Sequence, residues 1–292
     1  MLIQSQATGN LGPSIVNALL EAGFDVTVLS RSLSHQLDPR VQVKVVDYAS
    51  IDSITAAITG QDALINSLAI GSIPGDIHLR LVEAAHAAGI QRFLPSEFGS
   101  DTANPLAAKL PVFADKIAVV QRLKELSAAN SAFSYTSLIT GPFFDWGIEH
   151  KFIINLSGPS ARIFDGGDVP FSGTTLSGIG RAVVGVLKHP AETQNRHVYV
   201  ADAEVTQNQI LRWSGKEDHI ERVPVKTEDL ELEAYEIVKQ PNPDFGKFAV
   251  NLITRAIFGG KFGGRFARTD NELLGVPRLT EAQIVEIAKR FT

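Results

Sequence analysis

The 292-residue chain contains no cysteine. Disulfides, cysteine-ligated zinc and thiol nucleophiles are therefore excluded. It also lacks any run of about 20 apolar residues, so no membrane-spanning helix is expected. Residues 1–7 have no basic start followed by an apolar stretch. No signal peptide and a cytoplasmic location are expected on that ground. Positive charge is not in excess: 27 Lys and Arg stand against 32 Asp and Glu, for a net charge of −5. A mildly acidic chain has no general pull on nucleic acid or anionic membranes. The expected partner is a small molecule, with the chain a monomer or homodimer. There is no Gly-x-Ser-x-Gly elbow of a serine hydrolase. Gly259-Gly260-Lys261 lacks the upstream glycine of a phosphate loop. His78 and His86 are eight residues apart, without the i, i+4 pairing of a helical zinc site, and no metal is expected.

What is present is a rhythm of short apolar runs and amphipathic stretches. Leu2–Ser5, Phe24–Ser30, Val41–Val46, Ala63–Leu68, Arg92–Leu94 and Ser134–Ile139 read as strands. Between them Pro13–Ala22, Ile51–Thr59, Asp76–Ala88 and Val112–Ser127 read as helices. Pro13 suits a first helical turn, and Gly23 the left-handed position after the last. This alternation predicts βαβ units and an α/β fold of Rossmann type, a doubly wound parallel sheet with helices on both faces. After about residue 142 the rhythm loosens. The stretch from Gly158 to Gly173 predicts loops around one short strand, Arg162–Phe164; five further helices and the extended stretch His197–Val200 follow, the last helix capped by Thr280 with Gln283. The expected division is a dinucleotide-binding domain over 1–150 and a smaller α/β substrate lobe over 151–292, with some chain crossing back to the sheet.

Gly9-Asn10-Leu11-Gly12 falls between the first strand and the first helix, where Rossmann folds hold a pyrophosphate. Amide N–H groups and the helix dipole both favour an anion there. The pattern is Gln-x-x-Gly-x-x-Gly, with Gln6 at the first glycine position. An ordinary glycine-containing turn has the same look, and it is the position ahead of a helix and βαβ units that favours a cofactor. The second strand ends in Ser30-Arg31-Ser32 with no acidic residue. NAD sites usually place a carboxylate at that point for the ribose 2′-hydroxyl, whereas an arginine suits a 2′-phosphate. The expected cofactor is therefore NADPH, gripped by Thr8, Gly9, Asn10, Leu11, Gly12 and Arg31. The alternative for Arg31 is a solvated surface side chain. Asn66-Ser67, at the end of the fourth strand, are placed along the cofactor or in packing.

The run Ala7-Thr8-Gly9-Asn10-Leu11-Gly12, the strand end Val28-Leu29-Ser30-Arg31, the segment Leu94-Pro95-Ser96-Glu97-Phe98-Gly99 and Phe113-Ala114-Asp115-Lys116 together resemble the NmrA-like and isoflavone reductase-like families. The resemblance covers nearly the whole chain and is strongest over 7–145. It implies an atypical short-chain dehydrogenase fold, NADPH as cofactor, and Lys116 as the catalytic lysine, also placed to bond the nicotinamide ribose. Related enzymes reduce aromatic natural products. Gly141-Pro142-Phe143-Phe144-Asp145-Trp146-Gly147 is most similar to relatives in fungal secondary metabolism.

A desolvated lysine beside a cationic nicotinamide has its pKa lowered and becomes a usable acid or base. Hydride transfer is the cofactor's chemistry, and the protein supplies orientation and a proton. The alternative for Lys116 is a solvated helix lysine. The Tyr-x-x-x-Lys spacing occurs once, at Tyr235 and Lys239, on an acidic C-terminal helix, and reads as a chance match. Phe98, Phe143, Phe144 and Trp146 fall at or just beyond strand ends, where aromatic side chains can stack on a flat substrate. Core packing is the alternative for each. The expected function is an NADPH-dependent reductase of a small aromatic or conjugated compound. Two others stay open: a non-catalytic NADP sensor that contacts a protein partner, and a non-redox isomerase or cyclase on the same scaffold.

Overall fold

A computed structural model describes residues 2–5, 9–32, 37–69 and 76–292, with only the backbone of 2–5. In chain order the elements are β1 Leu2–Ser5, α1 Gly12–Glu21, β2 Val26–Ser30, β3 Gln42–Val45, α2 Ile51–Ile58, β4 Ala63–Asn66, α3 Asp76–Ala87, β5 Arg92–Leu94, α4 Ala114–Ala129, β6 Ser134–Ile139, α5 Phe144–Glu149 and β7 Ser160–Phe164. There follow β8 Phe171–Gly173, α6 Leu176–Lys188, α7 Pro190–Thr193, β9 Arg196–Tyr199, β10 Ala203–Val205, α8 Gln207–Trp213, β11 Glu221–Val225, α9 Thr227–Ile237, α10 Phe245–Phe258, α11 Asn271–Leu274 and α12 Glu281–Lys289.

Two compact units share these elements. The first comprises residues 1–98, 114–138 and 179–198, and the second 99–113, 139–178 and 199–292. They are of nearly equal length and interleave along the chain, whereas the reading from sequence made one cut at 150 and expected a smaller second lobe. Pattern reasoning follows the chain in order, and the segments that exchange between units are recognisable only by what they pack against.

The first unit carries a seven-stranded sheet of order β3-β2-β1-β4-β5-β6-β9. Pairing from β3 through β6 is parallel, the doubly wound Rossmann arrangement. Strands β2, β4, β5 and β6 are buried along their whole length, as a sheet covered on both faces requires. One core joins Leu64 and Phe93 of the sheet to Ile54 and Ile58 of α2, Leu81 of α3 and Leu123 of α4. Arg92 ties the returning segment to the sheet: its buried guanidinium donates to Ser134 Oγ at 2.9 Å, Thr136 Oγ1 at 2.7 Å, Thr193 Oγ1 at 3.1 Å and the Pro190 carbonyl at 2.6 Å. These four acceptors offset the loss of hydration of a buried cation. Gly23 follows α1 at φ +83°, as its position predicted. Gly180 on α6 lies against α1, and a Cβ there would meet the Ser14 carbonyl oxygen at 2.6 Å.

In the second unit β7 pairs in parallel with β11, and β8 pairs antiparallel with β10. The sequence pattern predicted only one short strand between 158 and 173. Its apolar runs of three to five residues are too short for a period to register. A core of Phe144, Ile153, Phe164, Phe171, Leu211 and Phe258 fills the unit. The capping box at Thr280 and Gln283 opens α12 as expected.

Candidate active site

The carboxyl ends of β4 and β5 lie side by side in the first unit, where open α/β sheets place their ligands. Asn66, the last residue of β4, is fully buried. Its Oδ1 accepts the Leu68 amide N–H at 3.1 Å, which orients the side-chain amide. Nδ2 is then the atom 2.9 Å from His78 Nδ1 on the first turn of α3. A donor amide requires Nδ1 to be an acceptor, so the neutral imidazole carries its proton on Nε2. The Leu68 carbonyl accepts the Ser96 hydroxyl at 2.7 Å. One line of hydrogen bonds thus links α3, the end of β4 and the loop after β5. Lys116, half-buried in the first turn of α4, joins the same loop: its Nζ donates to the Glu97 carbonyl at 2.5 Å.

The electrostatics follow from burial. Desolvation pushes the Lys116 ammonium below its ordinary range, and the Glu97 carboxylate pulls the other way. Desolvation, with the Lys116 charge adding to it, holds His78 down at about 4 against the pull of Asp115. His78 Nε2 is buried with no hydrogen-bond partner among the described residues. Two neighbouring bases are thus each biased toward their neutral forms.

At the other expected subsite, Thr8 and Gln6 lie outside the described residues. Gly9 is half-buried, Asn10 exposed, and Leu11 and Gly12 are buried at the start of α1. That helix start carries no side-chain cap and no acidic residue in its first turn. Arg31 is exposed at the end of β2 near Tyr48, and no carboxylate pairs with it among the described residues. A helix start with no side-chain cap and no acidic residue in its first turn, with an arginine at the end of the next strand, fits the pyrophosphate and 2′-phosphate of NADPH.

The four expected aromatic residues divide between the two units. Phe98 is a nearly buried residue of the first unit. Phe143, Phe144 and Trp146 belong to the second unit, at a short helix, α5, that the sequence pattern did not predict. Phe144 is 0% exposed and belongs to the core, packed with Ile153 and Phe171. A substrate-lining role is corrected to packing for this residue, because it lies on the apolar face of α5. Phe143 and Trp146 are half-buried, with ring centroids 6.4 Å apart, and Trp146 stacks on His150 at 4.3 Å. Trp146 lines a cleft of about 500 Å³ in the second unit. The Tyr235 hydroxyl donates to Glu231 at 3.4 Å and Lys239 Nζ to Glu236 at 2.6 Å, both local surface contacts, in keeping with a chance spacing. No cluster of three metal-ligating side chains and no helix long and apolar enough to cross a membrane occur among the described residues.

Residues 5–241 match the NmrA-like family. The chain belongs to that family. It is 34% identical over 236 residues to the oxidoreductase poxI of Penicillium oxalicum, covering 77% of this chain and 74% of that protein. It is 36% identical over 210 residues to the oxidoreductase aprR of Aspergillus flavus, covering 70% and 69%. A solved structure of AtPrR2 with NADP+ and (+)-pinoresinol has the same fold, with a TM-score of 0.76 over 100% of this chain and 98% of that one at 19% identity. His78 was missed by sequence reasoning, which tested histidines only for metal spacing. Its partner is twelve residues away, and no local signal marks the pair.

Proposed function

We propose that this NmrA-like chain is an NADPH-dependent oxidoreductase that reduces a small aromatic or conjugated compound, with Lys116 as its general acid. The observation that carries the reading is Lys116 itself, a desolvated ammonium held on the Glu97 carbonyl beside the Asn66–His78 pair. The curated relatives poxI and aprR are oxidoreductases, and AtPrR2 was solved with NADP+ and (+)-pinoresinol.

The start of α1 would hold the pyrophosphate and Arg31 the 2′-phosphate. When bound, NADPH supplies a hydride. Lys116 holds the proton that goes to the heteroatom of the reduced bond, and regains it from solvent. The pull of burial on its pKa brings proton release closer to neutral pH. Asn66, fixed by His78 and the Leu68 amide, keeps the end of β4 in one conformation beside the cofactor.

Calorimetric titration with NADPH and NADH tests the cofactor arm. NADPH is expected to bind at least tenfold more tightly, a difference of about 1.4 kcal/mol. Arg31→Gln is expected to abolish the preference while leaving NADH binding unchanged. Equal binding of the two cofactors by the unaltered protein, or no binding of either, refutes the reading.

A further inference from the structure

The second unit contains a cleft of about 500 Å³, within the range of small-molecule sites. Its walls are unusual for a chain of net charge −5. Trp146, Phe152 and Phe164 supply aromatic surface, and His150, Lys151 and Arg162 supply the charged or chargeable groups. No Asp or Glu lines it among the described residues. The aromatic groups are held in place. Trp146 is stacked on His150, and Phe164 is stacked on Phe258 at 4.8 Å. The Arg162 guanidinium sits over the outer side of Phe164, 5.3 Å from its ring centroid. Glu233 accepts Lys247 Nζ at 2.5 Å and Asn251 Nδ2 at 2.9 Å, and it also feels the Arg162 charge. Glu149, beside His150 at 3.9 Å, is itself exposed and is not part of the lining.

We infer that this cleft binds a planar aromatic compound bearing an anionic group, a carboxylate or phenolate, with Arg162 as its anchor. The physical case rests on two features acting together. The Trp146 ring in the wall rewards a planar ligand that lies against it. A guanidinium oriented by its own stack on Phe164 can take an oxyanion by two parallel N–H bonds with little further loss of side-chain freedom. Lys151 and His150, exposed like Arg162, line the same cleft and add donors there. The inference goes beyond the reductase reading. It does not depend on where the hydride is delivered.

The test uses 2-naphthoate and its neutral isostere 2-naphthamide. The chain has two tryptophans, so in a Trp213→Phe background emission reports Trp146 alone. Naphthoate is expected to quench that emission and to bind about tenfold more tightly than the amide, equivalent to about 1.4 kcal/mol. Adding Arg162→Gln is expected to bring acid and amide to within twofold of each other, with far-ultraviolet dichroism and melting temperature unchanged. Equal affinity for acid and amide, an absence of quenching, or an acid preference that survives Arg162→Gln each overturns the inference. Titrating NADPH on the same samples separates the two claims. Loss of cofactor binding would sink the reductase reading and leave the naphthoate result standing, and the reverse holds equally.

Discussion

Replacing His78 by glutamine isolates one titration inside the first unit. The imidazole is 1% exposed, accepts the Asn66 amide through Nδ1, and feels the charges of Lys116 and Asp115. Its ordinary pKa of 6.5 is lowered to about 4 in the fold. Between these values the unfolded chain takes up a proton that the folded chain refuses. The contribution of His78 to stability is therefore complete above pH 6.5 and is lost as the pH falls toward 4. The interval corresponds to about 3 kcal/mol. Glutamine keeps an acceptor for Asn66 and cannot titrate. At pH 7.5 the variant should lie within about 1 kcal/mol of the parent, since one buried hydrogen bond replaces another. On acidification it should become the more stable of the two, by about 2–3 kcal/mol near pH 4.5. Urea unfolding of both proteins at pH 7.5, 6.5, 5.5 and 4.5 gives the difference directly, and all other carboxylates cancel in it. Leucine at the same position removes the buried acceptor at Nδ1 and should cost about 1–3 kcal/mol at pH 7.5. Parallel stability curves for His78→Gln and the parent would refute the assignment of a buried neutral imidazole.

Lys116→Met should lower NADPH oxidation about 10²–10⁴-fold at substrate saturation, the usual value of one general acid, while NADPH affinity measured by calorimetry changes less than threefold. Gly180→Val should cost about 1–3 kcal/mol by overpacking α6 on α1, because the new Cβ would meet the Ser14 carbonyl at 2.6 Å and Ala18 Cβ at 3.0 Å; thermal unfolding measures it. Asp202 behaves oppositely to His78. Burial raises its carboxyl to about 6, against the hydrogen bonds it accepts from Thr175, so the unfolded chain gives up this proton first. Its contribution is complete below the ordinary value of 3.8 and is lost as pH rises through 6. Asp202→Asn keeps an acceptor for the Thr175 amide and should gain up to about 3 kcal/mol relative to the parent between pH 4 and pH 8, read by melting temperature at the two ends.

The Rossmann half was legible before any coordinates because its signals are local. Apolar runs such as Ala63–Asn66, separated by amphipathic helices ending at Gly23, Gly60 and Gly89, specify strands buried on both faces and hence a parallel sheet. Gly9 to Gly12, Arg31, Asn66 and Lys116 were each legible by position relative to a strand end. The second half resisted because β8 and β10 are three residues long and gain their identity only by pairing with each other. The same limit explains the aromatic residues. Composition and position along the chain marked Phe143, Phe144 and Trp146 alike, but a helix of six residues turns Phe144 into the core and leaves Trp146 in the wall of a cleft.

By itself, then, the order of residues determined the sheet, the crossover helices and the lysine that follows the fifth strand, since hydrophobic period and turn chemistry act between near neighbours. Tertiary structure alone decided that His78 would fasten Asn66, and that Arg162 would stack on Phe164 at the edge of a cleft shared with Trp146 and Thr254. His78 and Asn66 are twelve residues apart on different elements, a separation with no periodic signal, and although Arg162 and Phe164 are neighbours on one face of β7, only the fold sets a cleft beside them. Those contacts exist because burial brings the groups together, and an unpaired polar group in that environment is costly.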